Sequence, residues 1–268
     1  MVAVTAVATL LVSGNSPISD TTARAQAKAT PKPACNLRAF PLVPGAEWVY
    51  EARELPGLPK PKQPRPKPRQ PEKVIIKVLS VATEDKVTSI ELEENLGYRT
   101  YKTVLTCERD KLNVPPESIY FSGEPGGGLN IELGEIERTG NTYMFRAGQV
   151  RIPEWTEEVK TTFTRKPVDG TGAQMVNGTL DLQRVVLIGL PEDVATDLGQ
   201  YKATPVQVDM RGSVNIETKP DPYLFNVPAN TISKLWFADD VGVVQIANSN
   251  LHFYQLTQYT PAGAPETP

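Results

Sequence analysis

Apolar and polar side chains alternate almost one for one along most of this chain from residue 39 onward. In EWVYE, Trp48 and Tyr50 alternate with Glu47, Val49 and Glu51, a period of two that marks a strand with large aromatics on one face. EKVIIKVLSVA (72–82) and KVTSIELEEN (86–95) repeat the pattern on either side of a Thr83–Asp85 turn and read as a hairpin. YRTYKTVLTCE (98–108), PPESIYFSG (115–123), NIELGEIER (130–138) and TYMFRAGQVRI (142–152) read as further strands. In EWTEEVKTTFTRK (154–166), Trp155, Glu157, Val159, Thr161 and Phe163 share one face. Residues 172–194 read as two strands or as one strand with a break at Gly178, and 201–219 as one or two more. TISKLWFADDVGVVQIANSNLHFYQLTQY (231–259) gives two apolar strands around Asp239–Asp240 and a third through Leu251, Phe253 and Tyr254. A helix or turn signal falls at PEDVATDLG (191–199), with Pro191 at a first-turn position. The pattern predicts about eleven or twelve strands and little helix. The expected fold is all-β: an antiparallel curved sheet, as a half-barrel, an open barrel or a sandwich.

One segment breaks the alternation. LPGLPKPKQPRPKPRQP (55–71) holds seven prolines with Lys60, Lys62, Arg65, Lys67 and Arg69 between them and no acidic residue. Proline at that density cannot supply ladder hydrogen bonds and favours polyproline II, so a stiff, basic loop joining two strands is expected. It is either a contact for an anionic partner or a solvated insertion. The start of the chain differs as well. MVAVTAVATLLVSG is apolar or small throughout, and Ala23, Ala25 and Ala27 follow as small-residue cleavage positions. The expected organisation is a signal peptide over 1–27, an extended linker over 28–38, a single β domain over 39–260 and a disordered tail over 261–268. The leader is too short to span a bilayer, so no transmembrane segment is expected in the mature chain.

Charge and cysteine usage narrow the classes. Net charge is −3, which argues against a nucleic-acid partner. Cys35 and Cys107 are the two cysteines. In the oxidising periplasm or outside the cell, an even pair far apart in sequence is most simply a disulfide, the alternative being two free buried thiols.

The two ends of the β region resemble a known pattern. Phe40, Pro41, Leu42, Gly45, Trp48 and Tyr50 in FPLVPGAEWVY, with Trp236, Phe237, Ala238, Gly242, Val243 and Val244 in WFADDVGVV, are similar to the opening and closing motifs of uncharacterised exported bacterial β proteins. Those domains of unknown function are distantly like the half-barrels of periplasmic lipoprotein carriers. The resemblance implies a curved sheet and an exported location, and it implies no catalytic residue.

Candidate chemistry is sparse. His252 is the one histidine, and alternation places it on the face of Tyr254 as an exposed or edge-strand side chain. With both cysteines bonded, the usual zinc ligand set is missing, and no metal or cofactor is expected. The adjacent pairs Glu93–Glu94 and Glu157–Glu158 point to opposite sheet faces, and Asp239–Asp240 suits a turn. The triple glycine at 126–128 lacks the Lys-Ser/Thr of a phosphate loop. The expectation is therefore a non-enzymatic exported protein. It binds an apolar or lipid-like ligand through Trp48, Tyr50, Trp155 and Trp236, or contacts an anionic envelope partner through Lys60, Lys62, Arg65, Lys67 and Arg69. The aromatics also suit plain core.

Overall fold

The computed structural model describes residues 32–54, 71–123, 132–140, 145–146, 154–165, 176–217, 224–250 and 252–263. The first strands are β1 (Glu47–Ala52), β2 (Lys73–Glu84), β3 (Val87–Asn95), β4 (Thr100–Glu108) and β5 (Lys111–Asn113). A one-turn helix, α1 (Ile119–Ser122), follows. Next come β6 (Glu132–Gly140), β7 (Phe145–Arg146), β8 (Glu154–Arg165), β9 (Val176–Ile188), β10 (Glu192–Thr196) and β11 (Gly199–Glu217). The chain ends in β12 (Leu224–Pro228), β13 (Thr231–Ala238), β14 (Gly242–Asn248) and β15 (Phe253–Thr260).

These strands form one antiparallel sheet in the order β6-β8-β9-β11-β13-β14-β15-β1-β2-β3-β4-β5-β7, with β10 and β12 also paired to β11. The all-β expectation holds, and the sheet is curved and not closed into a barrel. Its curvature follows from connectivity. β6 and β7 lie at opposite ends of the order, yet only residues 141–144 separate them in sequence. A flat sheet would hold them about 58 Å apart at ~4.8 Å per strand. Five residues of extended chain reach about 18 Å. The sheet must therefore curl until its edges approach.

Burial follows the period of two. On β9, Leu180, Leu182, Arg184 and Val186 are buried, while Thr179, Asp181 and Gln183 are exposed. One core runs the length of the inner face, from Ile76 and Ile90 to Val206, Val186 and Val159. Gly178 does not break β9. A Cβ there would lie 2.1 Å from the Asn215 carbonyl oxygen and 2.6 Å from the Phe163 ring, so the close approach requires glycine. The turn Asp85–Lys86 has φ of 45° and 73°, and Arg109–Asp110 has 48° and 62°. Left-handed values at both central residues match the twist of two-residue hairpins.

Two local expectations are corrected. Residues 191–199 are not helical: β10 and the start of β11 form a hairpin around Asp197–Leu198, with Val194 buried while Asp193 and Ala195 stay exposed. PPESIYFSG is not a strand: Ser118 caps α1 by accepting from the Tyr120 N–H, and Gly123 ends it at φ 71°. All four residues of α1 are buried, which a strand at a sheet face would not allow.

The chain is packed from Ala34 onward. Phe40 and Leu42 are fully buried against the sheet, and Arg38 reaches the β13–β14 turn to pair with Asp240 at 2.6 Å. The disulfide Cys35–Cys107 ties this segment to β4 across 72 residues. Replacing both cysteines by serine should lower stability in a denaturant titration by about 4 kcal/mol on the chain-entropy account. The same loss should follow reduction of the wild-type protein.

Candidate functional site

The side chains with the most chemistry lie inside the curl, around Val114–Gly123. Trp48 and Tyr50 share the inner face of β1, and both are fully buried. The Trp48 indole N–H donates to the Val241 carbonyl at 2.6 Å. Its ring lies 5.7 Å from Phe40 and stacks on Tyr259 at 5.5 Å. The Tyr50 hydroxyl donates to the Val243 carbonyl at 2.9 Å and lies 3.3 Å from the Tyr120 hydroxyl. Its single proton is used on Val243, so Tyr120 donates to Tyr50. Burial pushes both tyrosines well above their ordinary pKa, and they stay neutral.

Helix α1 is held from opposite sides of the sheet. On one side, Glu94 of β3 is fully buried. Its carboxylate accepts from the Ser118 hydroxyl at 2.8 Å and from the Ile119 N–H at 3.2 Å. On the other side, Glu157 of β8 accepts from Arg184 of β9 through Nε at 2.8 Å and through Nη2. Glu157 also accepts from Arg138 of β6 at 3.1 Å. Arg138 uses its other nitrogen on the Val114 carbonyl at 3.0 Å. The Arg184 guanidinium lies 4.0 Å over the Phe121 ring of α1. Asn248 of β14 donates to the Gly123 carbonyl at 3.2 Å. Glu117, in the same segment, is half-buried, and burial raises its carboxyl pKa although Arg138 opposes the shift.

These contacts define what the arrangement does. Glu94 and Glu157 both spend their oxygens on this chain's own donors. The Tyr50–Tyr120 pair spends its protons on a neighbouring hydroxyl and a backbone carbonyl. The interior groups therefore act as fasteners for α1.

The aromatics read from sequence do not converge. Trp48 and Tyr50 face inward. Trp236 lies on the outer face of β13, opposite its neighbour Phe237, whose ring is 5.8 Å from Phe40. The Trp236 indole donates to Glu192 of β10, and the Lys234 ammonium sits 4.5 Å over its ring. β10 crosses the outer face there: Gln245 and Gln255 donate to the Ala195 carbonyl at 3.0 and 2.8 Å, and Asp197 pairs with Arg53 at 2.7 Å. Trp155 belongs to β8, with its side chain outside the described residues. Lys60, Lys62, Arg65, Lys67 and Arg69 also lie outside them. The carboxylate pairs do split between faces: Glu94 and Glu157 are buried, while Glu93 and Glu158 face outward. The sequence reading missed Glu94, Glu157 and Arg184 as buried groups, and Arg138 as their partly buried partner. A charged residue in register with Val159 and Phe163, or with Leu180 and Leu182, was the signal for Glu157 and Arg184. Among the described residues, no helix is long and apolar enough to cross a membrane.

No family model matches the chain, and no curated protein matches it. Two solved structures are similar to it. One is a candidate lipoprotein from Parabacteroides distasonis, at 13% identity and TM-score 0.44, covering 83% of this chain and 98% of the other. The second is a candidate exported protein with a YmcC-like fold from Bacteroides fragilis, at 12% identity and TM-score 0.44, covering 82% of this chain and 98% of the other. Neither carries a function over to this chain.

The interior fastening can be measured. Arg184→Met should destabilise the protein toward the lower end of about 3–5 kcal/mol in a denaturant titration, because Arg138 still faces Glu157. Glu117 gives a pH dependence. Its folded-state pKa is raised, so the folded state binds more protons than the unfolded state between the ordinary carboxylate range and the raised value. Stability should fall as pH rises through that window. Glu117→Gln should remove that slope in thermal melts and raise the midpoint at neutral pH.

Proposed function

We propose that this chain is an exported envelope protein without catalytic activity, and that it works by holding an anionic partner at the end of the sheet where β1 and β2 are joined. The observation that carries this reading is the burial of Trp48 and Tyr50 against Phe40 and Tyr120. A ligand taken up by Trp48 and Tyr50 would first have to displace Phe40 and Tyr120 from fully buried positions. Glu94 is already engaged by Ser118 and Ile119, Glu157 by Arg138 and Arg184, and the Tyr50 hydroxyl by Val243. What the fold presents to a partner is its outside.

The connection between β1 and β2 carries the densest run of like charge in the sequence. Residues 55–71 carry five basic and no acidic side chains in a chain of net charge −3. Such a local field attracts polyanions, and salt screens it. The apolar leader over 1–27 supports export. The formed Cys35–Cys107 disulfide supports an oxidising compartment.

The test replaces Lys60, Lys62, Arg65, Lys67 and Arg69 together by serine and follows co-sedimentation with isolated envelopes across a salt series. Wild type should bind at low salt and release as salt rises, and the variant should lose both the binding and its salt dependence. Equal binding by the two proteins at every salt concentration would falsify the reading.

A further inference from the structure

β10 and the first residues of β11 form an arm that lies over the outer face of the sheet. The arm is a self-contained hairpin, paired from Glu192–Ala203 to Thr196–Gly199. The Thr196 hydroxyl closes its tip, accepting from the Leu198 N–H at 3.1 Å and donating to the Gly199 carbonyl at 3.2 Å. Of residues 191–203, only Val194 and Ala203 are buried.

The elbow where the arm departs is short. β11 pairs with β9 as far as Val206–Ile188, and with β10 from Ala203–Glu192 onward. Gly189, Leu190 and Pro191 make the whole connection between β9 and β10. The Gly189 N–H donates to the Pro205 carbonyl at 2.9 Å, and a Cβ on Gly189 would lie 2.7 Å from Pro205 Cγ. Pro205 itself has no N–H to give to a ladder. Short, tightly bent hinges invite exchange of an element between copies. Leu190, within this hinge, is 72% exposed.

Beyond the elbow, partly exposed polar contacts hold the arm to its own sheet. Glu192 accepts from Lys234 at 2.8 Å and from the Trp236 indole. The Ala195 carbonyl accepts from Gln245 and Gln255, and Asp197 pairs with Arg53. Such contacts return little net stability, because water replaces them when they open. The surface beneath the arm is still matched to it group by group: an ammonium and an indole for Glu192, two amides for a carbonyl, a guanidinium for Asp197. A second copy carries the same surface and the same arm. Reciprocal exchange recreates every one of these contacts and closes on a twofold axis.

We infer that β10 with residues 199–203 is an exchangeable arm, and that the outer face of β13–β15 takes the same arm of a second copy in a reciprocal dimer. Cover for Leu190 where two elbows meet is the added gain. The interaction uses no residue of 55–71 and stands apart from the proposed function.

The experiment inverts the charges of one arm contact. Asp197→Arg and Arg53→Glu are made in separate chains. Each variant alone sets like charges together, both within a monomer and within a dimer of identical chains. In a mixture, each arm meets an opposite charge only on the other chain. The two variants are unfolded with the disulfide intact, mixed in equal amounts, refolded at high concentration and weighed by native mass spectrometry. Dimers holding one chain of each kind should be enriched at least about tenfold over dimers of either variant alone. Asp197→Arg and Arg53→Glu in one chain restore the internal pair. That chain should keep the wild-type thermal midpoint, and mixed dimers between it and wild type should be the scarcest of all. A mixture of the two single variants that stays monomeric overturns the exchange. Dimers that form equally with matched and mismatched charges overturn it too, since another surface would then hold them.

Discussion

The curled sheet depends on the ten residues from Val114 to Gly123, which stand inside it and are gripped from both of its halves. Glu94 on β3 takes the Ser118 hydroxyl and the Ile119 N–H at the start of α1. Arg138 and Arg184, from β6 and β9, take the Val114 carbonyl and the Phe121 ring. Asn248 on β14 takes the Gly123 carbonyl. Among the described residues no ladder joins the two edge strands, β6 and β7, which the short connection 141–144 brings near each other. Here the tie between the halves is this inserted segment, with Arg138 extending from the edge strand β6 to the chain just past β5.

That role accounts for the cost of the buried charges. Glu157 and Arg184 have no exposed side-chain surface, and desolvation of such a pair generally consumes most of its Coulomb attraction. The pair gains through geometry instead. One carboxylate receives two guanidiniums, one of which also closes on a backbone carbonyl that would otherwise be buried without a partner. Glu94 does the same for a hydroxyl and a helix-start N–H. Burial here converts polar side chains into position-specific links.

The outer face follows a different logic. β10 is laid across β13, β14 and β15 by contacts that are almost all polar: Glu192 with Lys234 and Trp236, Ala195 with two glutamines, and Asp197 with Arg53. Only Val194 is buried in that strand. The glutamines satisfy a carbonyl on the edge of β10, which would otherwise be open to pairing with another chain. The inner segment is held by apolar burial reinforced with buried polar bonds, whereas the arm is held mainly by partly exposed ones.

Alternation along the chain determined the fold class, most strand positions and the two faces of each strand, because a half-buried strand must repeat every two residues. It also determined that Glu93–Glu94 and Glu157–Glu158 would split between faces. The cysteine pair was legible because two thiols in an oxidising compartment have one simple fate. The sequence did not determine which face of a given strand would be covered, or by what. Trp48 and Trp236 looked alike as aromatics on alternating strands, yet one lies under Phe40 and the other under a polar arm. PPESIYFSG and PEDVATDLG exchanged roles because a one-turn helix and a short hairpin arm have too few residues to show a period. Packing decided both: Ser118 capping and complete burial made a helix of the first, and the pull of Trp236, Gln245 and Gln255 made a strand of the second. Only the tertiary structure could bring Glu94, Glu157, Arg138 and Arg184 around one segment, since their meeting depends on how far the sheet curls.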